Sequence, residues 1–171
     1  MIPDKQLQVA ILLYDGMTAL DAIGPYEVLQ APTLGTDVRF VAREKGVKRT
    51  AFGRLRLTAD YSLDETTSLD ILLVPGTVFP QVVMGDQLVL GWIAQVHPTT
   101  KWTTQVCTGA LGLAAAGVLQ ELKATTHWLA HDILQQFGAI PTKARVVRDG
   151  KVVTAAGVSS GIDMALTLVA E

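Results

Sequence analysis

A single cysteine, Cys107, sits at the corner where an apolar strand must turn into a helix, and no other feature constrains the chain as much. Lys101-Trp102-Thr103-Thr104-Gln105-Val106 is rich in β-branched and aromatic residues and predicts a strand. Thr108 to Ala116 is small and helix-compatible, and Gly117 is placed to stop it. Sulfur at the start of that helix would feel the positive end of its dipole and several unpaired backbone N–H groups. Both favour thiolate over thiol, and thiolate is the nucleophilic form. A free cysteine is also often an inert buried hydrophobe, so position alone leaves both readings open.

The rest of the chain predicts a scaffold for such a corner. Leu7 to Tyr14 is a near-continuous apolar run, as in a strand covered on both faces, and Asp15-Gly16 turns it. Leu20 to Leu29 has roughly helical apolar spacing, interrupted near its start by Gly24-Pro25. Asp37 to Ala42 alternates as a second strand, followed by a polar loop to about Thr50. Leu55 to Ala59 is a weaker strand, and Leu69 to Val74 a buried one stopped by Pro75-Gly76. Asp86 can cap a helix running to Val96. Thr126 to Phe137 predicts a helix ending at Gly138. Asp149-Gly150 joins Ala144–Arg148 to Lys151–Ala155 as a hairpin, and a last helix starts near Ser159. Apolar strands alternating with helices imply an α/β fold: a mostly parallel sheet with helices on both faces and a nucleophile elbow. The loops after Tyr14, Val74 and Val106 should then meet at the C-terminal ends of the strands.

Totals narrow the function. A chain of 171 residues fits a single domain, residues 1–171. A net charge of −2 gives no electrostatic reason to expect nucleic acid or an anionic membrane as partner. Met1 to Lys5 carries no leader pattern, and no apolar stretch reaches the roughly 20 residues needed to cross a bilayer. One cysteine excludes an internal disulfide, and a free thiol suits a cytoplasmic setting. With three histidines and that cysteine, no metal-ligand spacing is present, and no phosphate-binding glycine loop offers a cofactor site.

Asp21 falls shortly after the first strand, at the sheet end that should carry Cys107. It reads either as an exposed acid in a helix's first turn or as a carboxyl exchanging protons with whatever the sulfur attacks. Beside a thiolate it would form a like-charge pair, one member of which keeps a proton. Thr108 either caps the helix or helps an anion hole through its N–H and hydroxyl. His127 precedes a helix and is either structural or close to the sulfur, whereas His97 and His131 read as surface residues.

Several stretches together resemble the ThiJ/PfpI superfamily, and within it the isonitrile hydratases. They include Leu20-Asp21-Ala22-Ile23-Gly24-Pro25, Asp70-Ile71-Leu72-Leu73-Val74-Pro75-Gly76, Val106-Cys107-Thr108-Gly109-Ala110, Ala124-Thr125-Thr126-His127-Trp128, Gly138-Ala139-Ile140-Pro141, Arg145-Val146-Val147-Arg148-Asp149-Gly150 and Thr154 to Asp163. The resemblance implies a flavodoxin-like sandwich and a homodimer. It also implies cofactor-independent addition of water to an isonitrile, giving an N-substituted formamide. By position, Cys107 matches the nucleophile, Asp21 its acidic partner and Thr108 the threonine after the cysteine. His127 and Val158 match residues near the nucleophile, and Gly76 and Thr77 a substrate or oxyanion loop. Thr77 stands where the family usually has a second glycine, which could constrict the pocket. Family members also continue beyond Glu171 with a further helix and tail.

Two other readings stay open. One is a non-catalytic sensing domain like those fused to AraC-type regulators, which often lose the cysteine. The other is a methylglyoxal-type glyoxalase of the same superfamily.

Overall fold

The computed structural model describes residues 6–171; Met1–Lys5, read above as carrying no leader pattern, lie outside the described residues. In chain order the elements begin with β1 (Leu7–Leu12), α1 (Ala19–Leu29), β2 (Thr36–Ala42), β3 (Gly46–Arg49), β4 (Arg56–Ala59) and β5 (Tyr61–Ser62). β6 (Ile71–Val74), α2 (Gln81–Met84), α3 (Gln87–Val96), β7 (Trp102–Val106) and α4 (Gly109–Ala115) follow. The chain continues through β8 (Lys123–Ala124), α5 (His131–Gln136), β9 (Ile140–Pro141), β10 (Val146–Asp149), β11 (Val152–Ala155) and α6 (Ser160–Val169).

The main sheet has seven strands in the order β10-β11-β7-β6-β1-β2-β5. All neighbours are parallel except β10 and β11, the antiparallel hairpin around Asp149-Gly150. Its central strands are buried: Val9 to Leu12 and Ile71 to Val74 are closed off from solvent on both faces. α1 packs on α6, and α4 packs against α2, α3 and α5, so helices cover both faces in a flavodoxin-like sandwich. From β1 the chain moves to β2 on one side, whereas β6 lies on the other. Such a reversal opens a crevice beyond the strands' C-terminal ends.

Hydrogen bonds draw three loops together there. Thr18 N–H donates to the Gly76 carbonyl at 2.8 Å, and Gly16 N–H to the Arg49 carbonyl at 2.8 Å. Gly109 presses so closely on the Val74 carbonyl and Pro75 that a side chain there would collide with backbone. The elbow is thus locked to the end of β6.

Some segments depart from the sequence reading. The polar stretch before Thr50 is not all loop: β3 pairs antiparallel with β4. Its residues alternate only between exposed and half-buried, so it carries no apolar period to reveal it. α1 runs unbroken through Pro25. The helix expected from Thr126 becomes regular only at His131, after a 3-10 turn at Trp128–Ala130. Thr125 and Thr126 are held out of it by side-chain bonds. Thr125 Oγ1 donates to the Ala144 carbonyl and Thr126 Oγ1 to the Cys107 carbonyl, both at 2.9 Å. Asp86 does cap α3, accepting from the N–H groups of Leu88 and Val89. His97 is not a surface residue but half-buried, its Nδ1 2.7 Å from Thr103 Oγ1. His131 is also half-buried, with Nδ1 enclosed. Among the described residues no helix is long and apolar enough to cross a membrane.

Candidate active site

Cys107 leaves β7 with φ at +60°, a left-handed backbone that a non-glycine residue rarely adopts. The conformation makes the corner sharp. Cys107 N–H still donates to the Ala155 carbonyl at 2.9 Å, so the residue finishes the sheet while its side chain leaves it. Only 6% of the residue is exposed, and that surface opens into a cavity of about 580 Å³. Thr18, Leu20, Val78, Leu111, Ile133 and Val158 are among its walls; apart from Cys107, the one titratable side chain lining it among the described residues is His127.

Asp21, in the first turn of α1, is fully buried beneath this point, which decides against the exposed-acid reading. Its Oδ2 accepts a hydrogen bond from Gly76 N–H at 3.0 Å. Its Oδ1 is buried without a conventional hydrogen-bond partner among the described residues. Burial pushes the Asp21 pKa up from 3.8 to about 7, while the Gly76 N–H and the Cys107 thiol pull it down. Burial likewise raises Cys107, and the negative Asp21 adds to the effect; the thiol is pushed up to about 12, against the pull of Thr108. The sequence reading had the helix start ionising the sulfur. In the resting site desolvation and the neighbouring carboxylate win, and the thiol keeps the pair's shared proton.

Thr108 neither caps α4 with its side chain nor offers a free hydroxyl. Thr77 N–H donates to Thr108 Oγ1 at 2.8 Å, and that hydroxyl donates back to the Thr77 carbonyl at 2.6 Å. One side chain thus grips both polar groups of one residue and ties the elbow to the loop after β6. The amides of Gly76 and Thr77, candidates for an oxyanion loop, are therefore both engaged within the protein. Thr77 Oγ1 donates to the Gly16 carbonyl at 2.6 Å and accepts from Phe79 N–H at 3.0 Å. Its side chain braces the loop rather than projecting freely into the cavity.

Val158 and His127 line the same cavity as Cys107. No hydrogen bond joins His127 to Cys107 among the described residues: its Nδ1 accepts from Leu129 N–H at 3.3 Å and its ring tilts against Trp128. Tyr14 and Thr126 escaped the sequence reading. Tyr14 hydroxyl donates to the Pro75 carbonyl at 2.6 Å, directly behind the site. The only sequence signal for Tyr14 was its place at the strand end before Asp15-Gly16. Thr126 sat in a segment read as helix.

The sequence matches the model of the DJ-1/PfpI family over residues 7–171. It is 41% identical over 165 residues to an isonitrile hydratase of Pseudomonas putida, covering 96% of this chain and 72% of that protein. A deglycase of Thermococcus kodakarensis is 27% identical over 150 residues, or 86% of this chain and 89% of the other. A crystal structure of a ThiJ/PfpI family protein from Pseudomonas syringae superposes with a TM-score of 0.92 at 36% identity, covering 99% of this chain and 70% of that one. With a family match across nearly the whole chain and the same fold around the elbow, this chain belongs to the DJ-1/PfpI family.

Proposed function

We propose that this chain hydrates isonitriles to N-substituted formamides, with Cys107 as nucleophile and Asp21 as general acid and base. The observation that carries the reading is a buried thiol beside a buried carboxyl at the foot of an apolar cavity. Similarity to a hydratase selects the substrate class within a family that also contains a deglycase.

The chemistry follows from where that proton rests. As substrate enters, the proton passes from Cys107 Sγ to Asp21, leaving the net charge of the pair unchanged. Sulfur then adds to the terminal isonitrile carbon while Asp21 returns its proton to that same carbon, giving a thioimidate, R–N=CH–S–Cys107. The Asp21 carboxylate takes a proton from water as the water oxygen attacks this carbon, and delivers it to nitrogen. When the C–S bond breaks, the hydroxyl proton passes to Asp21, and R–NH–CHO leaves. Asp21 Oδ1, without a conventional hydrogen-bond partner among the described residues, suits this traffic. Thr108 and Thr77 hold the two loops in register, and Val158 shapes the wall beside the sulfur.

The lining favours a neutral, apolar substituent R. A mostly apolar lining suits such a substituent better than the small polar carbonyl substrates of a glyoxalase, and a cysteine opening into the cavity speaks against a purely sensing domain. An unpaired thiol is best preserved in a reducing compartment, in keeping with the cytoplasm. Apolar side chains exposed at the rim, Phe52, Val78 and Leu129 among them, support a homodimer.

The test is to incubate the purified protein with cyclohexyl isonitrile and follow formamide by NMR, with methylglyoxal in parallel. Formamide that disappears in Cys107→Ala supports the proposal. Lactate without formamide would replace it with the glyoxalase reading, and no turnover of either would favour sensing.

A further inference from the structure

Tyr14 follows the end of β1, and its hydroxyl donates to the Pro75 carbonyl at 2.6 Å. The N–H of that same peptide unit, carried by Gly76, donates to Asp21 Oδ2 at 3.0 Å. The peptide is trans, so its carbonyl and its N–H point in opposite directions. The phenol and the carboxyl therefore flank one peptide plane and are linked through it. A donor on the carbonyl oxygen polarises an amide and makes its N–H a stronger donor.

We propose that Tyr14 is a positioning residue for Asp21, fixing and polarising the Pro75–Gly76 peptide whose N–H the carboxylate accepts. The titratable groups that bear on Asp21 are Cys107, from the elbow, and Tyr14 itself, from the end of β1. The Gly76 bond opposes the upward push of burial on Asp21. Weakening it should make the carboxyl hold its proton more tightly. The effect on turnover rests on the hydratase reading; the effect on titration does not.

The experiment follows Asp21 by NMR in protein labelled with 13C at the aspartate carboxyl, its signal assigned by loss in Asp21→Asn. Tyr14→Phe should raise the Asp21 midpoint by about 0.5 or more on the pH scale, the size expected from weakening one hydrogen bond to a carboxylate. The acid limb of kcat/KM for isonitrile should move by the same amount. Incorporating 3-fluorotyrosine at position 14 keeps the shape but gives a stronger donor, and should lower the midpoint; it decides the matter if Tyr14→Phe does not fold. A midpoint unmoved in the folded variants overturns the proposal, even if the melting temperature falls, because Tyr14 would then only pack. A midpoint that moves in protein with no hydratase activity sustains the proposal and removes the hydratase reading alone.

Discussion

Gly76 and Thr108 approach so closely that a methyl group on Gly76 would stand 2.6 Å from the Thr108 nitrogen and 2.9 Å from Asp21 Oδ2. Two loops far apart in sequence therefore meet at a point that tolerates only hydrogen. Gly76→Ala should push the elbow and Asp21 apart at once. A stability loss of about 2–3 kcal/mol is expected, as for other overpacked sites, since backbone cannot swing aside as a side chain can. Formamide production should fall far more than folding does. Urea denaturation and steady-state rates on one preparation would show both.

Cys107→Ala should abolish hydration, and Cys107→Ser nearly so, because an alcohol is a poorer nucleophile at neutral pH. Asp21→Asn should lower kcat by about 10³-fold, a typical general acid–base contribution. Near-normal rates in either cysteine variant would reject the mechanism.

Stability and activity should respond oppositely at Asp21. Its pKa rises from 3.8 to about 7 in the folded protein, so folding favours the protonated acid. That contribution is complete below about pH 4 and is lost as pH climbs through 7. Asparagine keeps the shape without the buried charge. At pH 8 Asp21→Asn should be more stable than the parent by about 2–4 kcal/mol, the gap closing toward pH 4. Equal melting temperatures at pH 8 would contradict the burial argument.

The same titration sets the pH–rate profile. The reactive form of the pair carries one proton, and the second binds below about pH 7. kcat/KM should therefore rise with pH through about 7 and then level. A profile flat from pH 5 to 9 would mean that the pair does not gate the chemistry.

Substrate charge offers an independent check. Among the described residues no lysine or arginine lines the cavity, so an isonitrile bearing a carboxylate should react about 100-fold more slowly than its neutral isostere, the cost of moving a charge into a largely apolar lining. Comparable rates would show that the substituent stays in solvent.

The parallel sheet was readable because buried strands print continuous apolar runs, as in Val9 to Leu12 and Ile71 to Val74, and the elbow because β-branched and aromatic residues precede Cys107 and small ones follow it. Asp21, Cys107 and Thr108 emerged from their places at strand ends and from a family resemblance. The sequence could not show which member of the thiol–carboxyl pair holds the proton. A helix start argues for thiolate, while the opposing desolvation depends on how deeply Asp21 and Cys107 are covered. Nor could it disclose that the Thr108 hydroxyl is bonded to both polar groups of Thr77, or that Tyr14 bonds the peptide whose N–H reaches Asp21. Those relations join residues distant along the chain, through hydrogen bonds that leave no periodicity. β3 was missed for a kindred reason, having no buried face.

The left-handed backbone at Cys107 has a consequence for how such a chain would change once released from its chemistry. A side chain in that conformation costs about 1 kcal/mol that glycine does not incur. Cys107→Gly should therefore be more stable than Cys107→Ala, reversing the usual order of the two residues. A descendant that kept the architecture for another purpose would find glycine at this corner the easiest way to relax it.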